Sequence, residues 1–203
     1  MKQFELTPEM YKYISLQRTG IKKNFETEYY NNLLTQWGII KPHISNDKIK
    51  VIDVGCGLAG IDYFISNLNS SNEINLLDKT QIDENVYYGY NAEGSFYNNL
   101  TLSEEFLRLN GVSNKINLLT PQTDFNQFGR FDLILSLISW GFHYPIETYL
   151  DRLDNIISDK GIFILDIRHT ILENSIKLFE EKGYSHQTIY KFTKCDKILF
   201  KKW

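Results

Sequence analysis

One ten-residue stretch restricts the architecture of this chain more than any other: Val51-Ile52-Asp53-Val54-Gly55-Cys56-Gly57-Leu58-Ala59-Gly60. A short, β-branched apolar run enters a glycine-punctuated turn, and an amphipathic segment follows with Ile61, Phe64, Ile65 and Leu68 at helical spacing. A buried strand that passes through such a turn into a helix is the first half of a βαβ unit, and that unit needs a parallel neighbour. Glycines at 55 and 57 let the backbone bend tightly and approach a ligand that a Cβ would hold off. A helix starting near Gly60 aims free N–H groups and a partial positive charge at the same point, which suits a carboxylate or a phosphate.

The rest of the chain repeats the alternation. Strands are predicted at 49–54, 73–77, 115–119, 131–137 and 161–167, separated by helical patterns. Leu102, Phe106 and Leu109 precede an Asn110-Gly111 stop. Ile146, Tyr149, Leu150, Leu153, Ile156 and Ile157 form a stripe that predicts one continuous helix, and another helix runs over 170–182 to Gly183. Two final strands, 184–193 and 197–201, are separated by Lys194-Cys195-Asp196, too few residues for a crossover helix, so they pair as an antiparallel hairpin. Before all this, Thr7-Pro8 caps a helix carrying Met10, Tyr13, Ile14 and Gln17. A second helix carries Phe25, Tyr29, Leu33, Leu34 and Trp37 and ends near Gly38, with Pro42 beyond. The expectation is an α/β, Rossmann-like fold: a seven-stranded, mostly parallel sheet finished by an antiparallel hairpin, with helices on both faces. Residues 1–47 form an N-terminal helical cap over one edge of the main domain, 48–203.

Composition narrows the function. A chain of 203 residues with 42% hydrophobic content fits one ordinary domain with a real core. Its apolar runs fall short of the ~20 residues that cross a bilayer, and positions 1–10 lack the apolar stretch of a signal peptide. Two cysteines, Cys56 and Cys195, are too few for a disulfide framework, so a cytoplasmic location is expected. A net charge of -3 offers no broad positive field for a phosphate backbone, which argues against nucleic acid as partner. Arg18, Lys22 and Lys23 are a local exception, readable as a solvated helix face or as a hold on one phosphate or carboxylate.

Gly55, Gly57 and Gly60 also satisfy the dinucleotide fingerprint, so the glycines alone do not choose a ligand. Asp53 does. A carboxylate two positions before the first glycine would repel a pyrophosphate, whereas S-adenosylmethionine brings an ammonium and a sulfonium to that place. Asp53 to Gly57 resembles the first motif, D-x-G-x-G, of class I S-adenosylmethionine-dependent methyltransferases. Asp78, ending the second strand about 20 residues past the glycines, matches the acid that receives the ribose hydroxyls. The resemblance extends from about Lys48 to the C-terminus, including Phe131 to Ser136 as an F-D-x-I-x-S strand. It implies a cofactor site made by Asp53, Gly55, Cys56, Gly57, Asp78, Lys79 and Ser136, with Asp124 on the adenine although several residues later than usual. Plainer readings stand beside these: Asp53 as a turn former, Cys56 as a small residue that fits, Asp78 as a cap.

Ligands of open α/β sheets lie at the carboxyl ends of the strands, beside the point where strand order reverses. The segment Ile138-Ser139-Trp140-Gly141-Phe142-His143-Tyr144-Pro145 follows the fourth strand there. His143 is the candidate general base, with an ordinary pKa near 6.5, or else a structural histidine. Trp140 and Tyr144 are candidate acceptor contacts, as are Arg168 and His169 after the fifth strand. The long connection 79–99 adds Tyr88, Tyr90 and Tyr97, which either stack on an acceptor or pack the N-terminal helices. No Asn-Pro-Pro-Tyr or Asp-Pro-Pro-Tyr occurs, which disfavours planar nitrogen acceptors, and no acidic cluster with ligand spacing suggests a metal. The Leu77-Asp78-Lys79 strand end, the Tyr-rich insert and the 139–144 segment are similar to bacterial methyltransferases of surface-polysaccharide clusters, including those for capsular O-methyl phosphoramidate. That implies O-methylation of a sugar or phosphorylated precursor, a small-molecule acceptor that Arg18, Lys22 or Arg168 would meet. The alternatives are an N- or protein methyltransferase, a non-catalytic partner subunit, and an NAD-dependent oxidoreductase.

Overall fold

The computed structural model describes residues 4–17, 25–79, 81–82 and 97–202. Strands β1 (Lys50–Val54), β2 (Glu73–Leu77), β5 (Lys115–Leu119), β6 (Phe131–Ser136), β7 (Ile157–Arg168), β8 (Tyr184–Lys191) and β9 (Cys195–Lys202) form one sheet in the order β5-β2-β1-β6-β7-β9-β8. The first five run parallel, and β9 joins antiparallel to both β7 and β8, so the C-terminal hairpin forms as the short connection requires. A separate two-stranded ladder pairs β3 (Gln81–Ile82) with β4 (Tyr97–Asn98). Strand order reverses between β1 and β6, which places the ligand-binding crevice of such a sheet at the carboxyl ends of those two strands.

Both faces of the sheet are covered. Along each strand alternate residues point to opposite sides, so Val51, Leu133, Leu135 and Ile164 join one hydrophobic cluster while Ile52, Ile134, Phe163 and Leu165 join the other. The first cluster is closed by α1 (Pro8–Gln17), α2 (Phe25–Ile40), α3 (Gly60–Leu68) and α4 (Leu100–Leu109). The second is closed by α5 (Leu150–Asp154) and α6 (Leu172–Glu181). Burial on both sides explains why these strands read as continuous apolar runs. Among the described residues no helix is long and apolar enough to cross a membrane.

Thr7 caps α1 as its sequence suggests, its Oγ1 accepting the Met10 amide at 3.3 Å. The N-terminal helices, however, cover a face rather than an edge alone. Phe4, Met10, Tyr13, Tyr29 and Leu33 are buried in the same cluster as Phe64 and Phe106, and α2 passes Gly38 to end at Ile40. Gly60 permits this packing, because a Cβ there would lie 2.3 Å from Leu33 Cδ1 and 2.5 Å from the Tyr29 hydroxyl. A second correction concerns 146–157. The stripe breaks into a 3₁₀ turn (Ile146–Thr148) and the short α5, and Ile157 opens β7 by pairing with Phe131.

One buried ion pair fastens the hairpin to the parallel strands. Lys197 on β9 donates to Asp166 Oδ1 on β7 at 2.6 Å, the two are register partners, and neither is exposed. The Ile138 amide lies near enough to Asp166 to favour its ionised form. Removing one partner of such a pair strands the other charge in a low-dielectric interior. Lys197→Met is therefore expected to lower the unfolding free energy by about 3–5 kcal/mol, measured by denaturant melting. A loss below about 1 kcal/mol would mean that the pair carries no more than a surface bridge.

Candidate functional site

The turn after β1 holds three left-handed corners, at Gly55 (φ +76°), Gly57 (φ +55°) and Ala59 (φ +58°). Ala59 is the N-cap of α3 and supplies no side-chain cap to the first amides of this nine-residue helix. The turn is tied to the neighbouring strand end. Gly55 N–H donates to Leu77 O at 2.7 Å, and Gly57 N–H donates to Asp78 Oδ2 at 3.1 Å. Asp78 Oδ1 accepts from Lys79 N–H at 2.7 Å. Burial drives the Asp78 carboxyl up to about 7, against the pull of those two amides.

Asp53, near the end of β1 just before the glycines, is 2% exposed. On the first turn of α3 lies Asp62, wholly buried, close enough for its charge to act on Asp53. Asp53 Oδ1 and both oxygens of Asp62 receive no well-aligned N–H or O–H donor. Desolvation, then the Asp62 and Asp78 charges, push Asp53 well above the ordinary carboxylate range, and desolvation takes Asp62 to about 7. The Cys56 thiol between them is raised by the same burial and the same three acids. Lys197 is the cation whose field reaches Asp53, and its ammonium is bonded to Asp166.

The segment after β6 folds down onto this turn. Ile138 adopts φ +55°, a costly conformation for a β-branched residue. Ser139 then lies directly over Gly55. A Cβ at 55 would be 1.8 Å from Ser139 Oγ, so the room left by that glycine is filled by a serine and not held open for a ligand, a correction to the sequence reading. Ser139 Oγ lies 3.0 Å from the Tyr144 hydroxyl, whose acidity burial strongly suppresses. His143 is half-buried on the same loop, its amide donating to Ser139 O at 2.8 Å and its ring edge-on to Phe142. Asp53, Gly55, Cys56, Gly57, Asp78, Tyr144 and His143 are thus brought to one edge of the sheet.

Other sequence candidates have different duties. Ser136 is fully buried, donating to Val54 O at 2.7 Å and accepting from Trp140 N–H at 2.9 Å, so it clamps β6 to β1 and does not reach a ligand. Trp140 is also fully buried, its indole N–H bonded to Ile146 O; it anchors the loop in the core and cannot touch an acceptor. Asp124 caps the turn Phe125–Phe128 through Asn126, and Lys79 is exposed beside Asp78. Arg168 donates from Nε to Phe142 O at 3.0 Å with its guanidinium 4.3 Å above the Phe142 ring. His169 Nε2 is 3.0 Å from Asp196 Oδ1. Tyr97 sits in β4 opposite Ile82, while Arg18, Lys22, Tyr88 and Tyr90 lie outside the described residues. Sequence reasoning missed Asp62 and Ser139. An acid on the first turn of an apolar-striped helix was the available signal for Asp62.

Neither a family model nor a curated protein sequence matches the chain. Solved structures do. Magnesium protoporphyrin IX methyltransferase from Synechocystis PCC 6803 with bound S-adenosylmethionine superposes with a TM-score of 0.62 at 12% identity, over 96% of this chain and 90% of that one. Precorrin-6y C5,15-methyltransferase from Geobacter metallireducens GS-15 gives 0.57 at 14% identity, over 84% and 87%. A TehB-like methyltransferase from Corynebacterium glutamicum gives 0.55 at 12%, over 87% and 100%. At these identities the likeness establishes the fold, that of the Rossmann-like methyltransferases.

Three acids whose folded-state pKa is raised lend stability that is intact below their ordinary value of about 4. It is lost as pH rises toward about 7, where Asp62 and Asp78 ionise in the folded chain. Asp62→Asn, which keeps the shape without the charge, is expected to raise the ligand-free stability at about pH 8 by about 1–3 kcal/mol, several degrees in thermal midpoint. A variant less stable than the parent at that pH would mean that the ionised carboxyl has a partner.

Proposed function

We propose that the protein is a cytoplasmic methyltransferase that uses S-adenosylmethionine to methylate an oxygen of a small molecule. The observation that carries this reading is the group of acids, buried Asp53 and Asp62 with half-buried Asp78, beside a helix N-terminus without a side-chain cap. A diphosphate over Gly57 would meet those carboxylates, whereas a zwitterionic amino acid on a nucleoside meets complementary groups at each end. Its carboxylate suits the α3 amides, its ammonium suits Asp53 and Asp62, and its ribose hydroxyls suit Asp78. The magnesium protoporphyrin IX enzyme of the same fold has S-adenosylmethionine bound.

When bound, the cofactor supplies an electrophilic methyl on a sulfonium. What the chain must add is alignment, exclusion of water and somewhere for the acceptor's proton. The loop of Ser139, His143 and Tyr144 is in position to form the wall above the turn, with His143 as the base for a hydroxyl acceptor. Arg168, whose guanidinium has no carboxylate partner among the described residues, suits an anionic acceptor such as a sugar phosphate. A phosphorylated or sugar precursor of a surface polysaccharide, including a capsular phosphoramidate, fits that chemistry. Two buried free cysteines are compatible with a reducing compartment.

Calorimetry with S-adenosylmethionine, S-adenosylhomocysteine and NAD tests the cofactor. Both sulfur nucleosides are expected to bind and NAD to give no heat, and Asp78→Ala should weaken the nucleosides by roughly 10- to 100-fold. NAD binding without nucleoside binding would overturn the reading. With a panel of sugars and sugar phosphates, His143→Ala should lower kcat by about 100-fold or more with little change in the cofactor's KM; turnover confined to amines would instead favour nitrogen methylation.

A further inference from the structure

Arginines in this fold give the ends of their side chains to the protein itself. Arg152 donates from Nη1 and Nη2 to the carbonyls of Pro121 and Thr123 at 2.7 Å each. Arg108 donates from Nη1 to Val112 O and Asn114 O and from Nη2 to the Glu104 carboxylate, and Arg130 Nη1 reaches Ile157 O at 2.8 Å. Arg168 is the exception among the described residues. Its Nε donates to Phe142 O at 3.0 Å, while its two terminal nitrogens meet no acceptor there. The acids of the neighbouring strand pair are already engaged, Asp166 Oδ1 by Lys197 at 2.6 Å and Asp196 Oδ1 by His169 at 3.0 Å.

The group is nonetheless held in place. Its guanidinium lies 4.3 Å from the centroid of the Phe142 ring, and its backbone amide donates to Gly141 O at 3.0 Å. Stacking and the Nε bond together fix the plane of the guanidinium, and with it the direction of the unused edge. Tying the loop to β7 needs one donor, which the backbone amide already supplies. A planar cation with a spare pair of N–H donors is shaped instead for an anion that offers two oxygens. Arg168 is half-buried, so solvent reaches it. It ends β7, and the loop it grips follows the adjacent parallel strand β6, so both stand at carboxyl ends of the sheet. The same Phe142 ring meets the His143 imidazole at 5.0 Å between centroids, the planes at 74°.

Resting on the methyl-donor reading above, we propose that Arg168 is the residue that determines acceptor specificity: its two terminal nitrogens bind an oxyanion, phosphate or carboxylate, carried by the molecule whose hydroxyl is methylated. Because Arg168 and His143 lie against one aromatic ring, the anion and the reacting hydroxyl belong to neighbouring parts of the acceptor. The substrate class narrows to hydroxy compounds with a phosphate or carboxylate close to the methylated position, and uncharged sugars fall outside it. Arg168 makes and breaks no covalent bond. The hydroxyl oxygen gains the methyl and its proton passes to His143.

The test uses the bare anions. Protein saturated with S-adenosylhomocysteine is titrated with inorganic phosphate and, separately, with acetate at constant ionic strength, following the backbone amides of Phe142 and His143 by NMR. At least one anion is expected to bind with a Kd of about 1–10 mM. Arg168→Gln should weaken it at least about tenfold. Arg168→Lys should weaken it about threefold, because it keeps the charge without the fork. Both variants should hold S-adenosylhomocysteine within about twofold of the parent, the sign that they are folded. Binding of phosphate alone assigns the acceptor's group to a phosphate ester, and binding of acetate alone assigns it to a carboxylic acid; either supports the proposal. Binding of neither anion, or equal affinity in Arg168→Gln, would overturn it and leave the methyl-donor reading intact. Should the glutamine variant not fold, the lysine variant decides, with unchanged anion affinity counting against the proposal. Failure of the parent protein to bind S-adenosylhomocysteine would overturn both readings together.

Discussion

A carboxyl group wedged between a sheet and a helix with nothing to neutralise it is expensive, and the crevice of this protein is organised around two of them. Asp53 and Asp62 flank the turn by which β1 hands over to α3, both buried, and the geometry around them is what a parallel sheet makes at its switch point. The amides of Gly55 and Gly57 are turned toward β2 and Asp78, which fixes the turn. Ser136 ties β6 to β1 from the other side, and Ser139 seals the gap over Gly55. The acids are held rigidly in positions that the free protein would be more stable without, as stability–function trade-off leads one to expect at a binding site.

The same device recurs two strands along the sheet with the opposite outcome. Asp166 is as buried as Asp53 but has Lys197 beside it, so that pair serves architecture and joins β9 to β7. Arg168 and Trp140 support the loop from outside and inside, through Phe142 and Ile146 respectively.

The strands were legible in the sequence because burial on both faces leaves long apolar runs bounded by glycine, asparagine and charge, and the hairpin because three residues cannot make a crossover. The glycine turn and Asp53 were legible because the backbone there needs residues without side chains. The stripe 146–157 misled: its apolar residues are equally compatible with a helix and with a strand buried on both faces, and pairing of Ile157 with Phe131 decided for the strand. Ser136 and Trp140 looked like ligand contacts by position, but which way a side chain faces at a strand end depends on the loop that follows. Asp62 was hidden by its spacing, since an acid in the first turn of a helix ordinarily serves the helix dipole, and only the three-dimensional approach of β1 reveals its partner.

Carbon-13 NMR of the aspartate carboxyls, assigned with Asp53→Asn and Asp62→Asn, tests this account most directly. It requires that in the ligand-free protein both carboxyls titrate above the ordinary carboxylate range, as their burial demands. Carboxyls that titrate at their ordinary value of about 4 would contradict it.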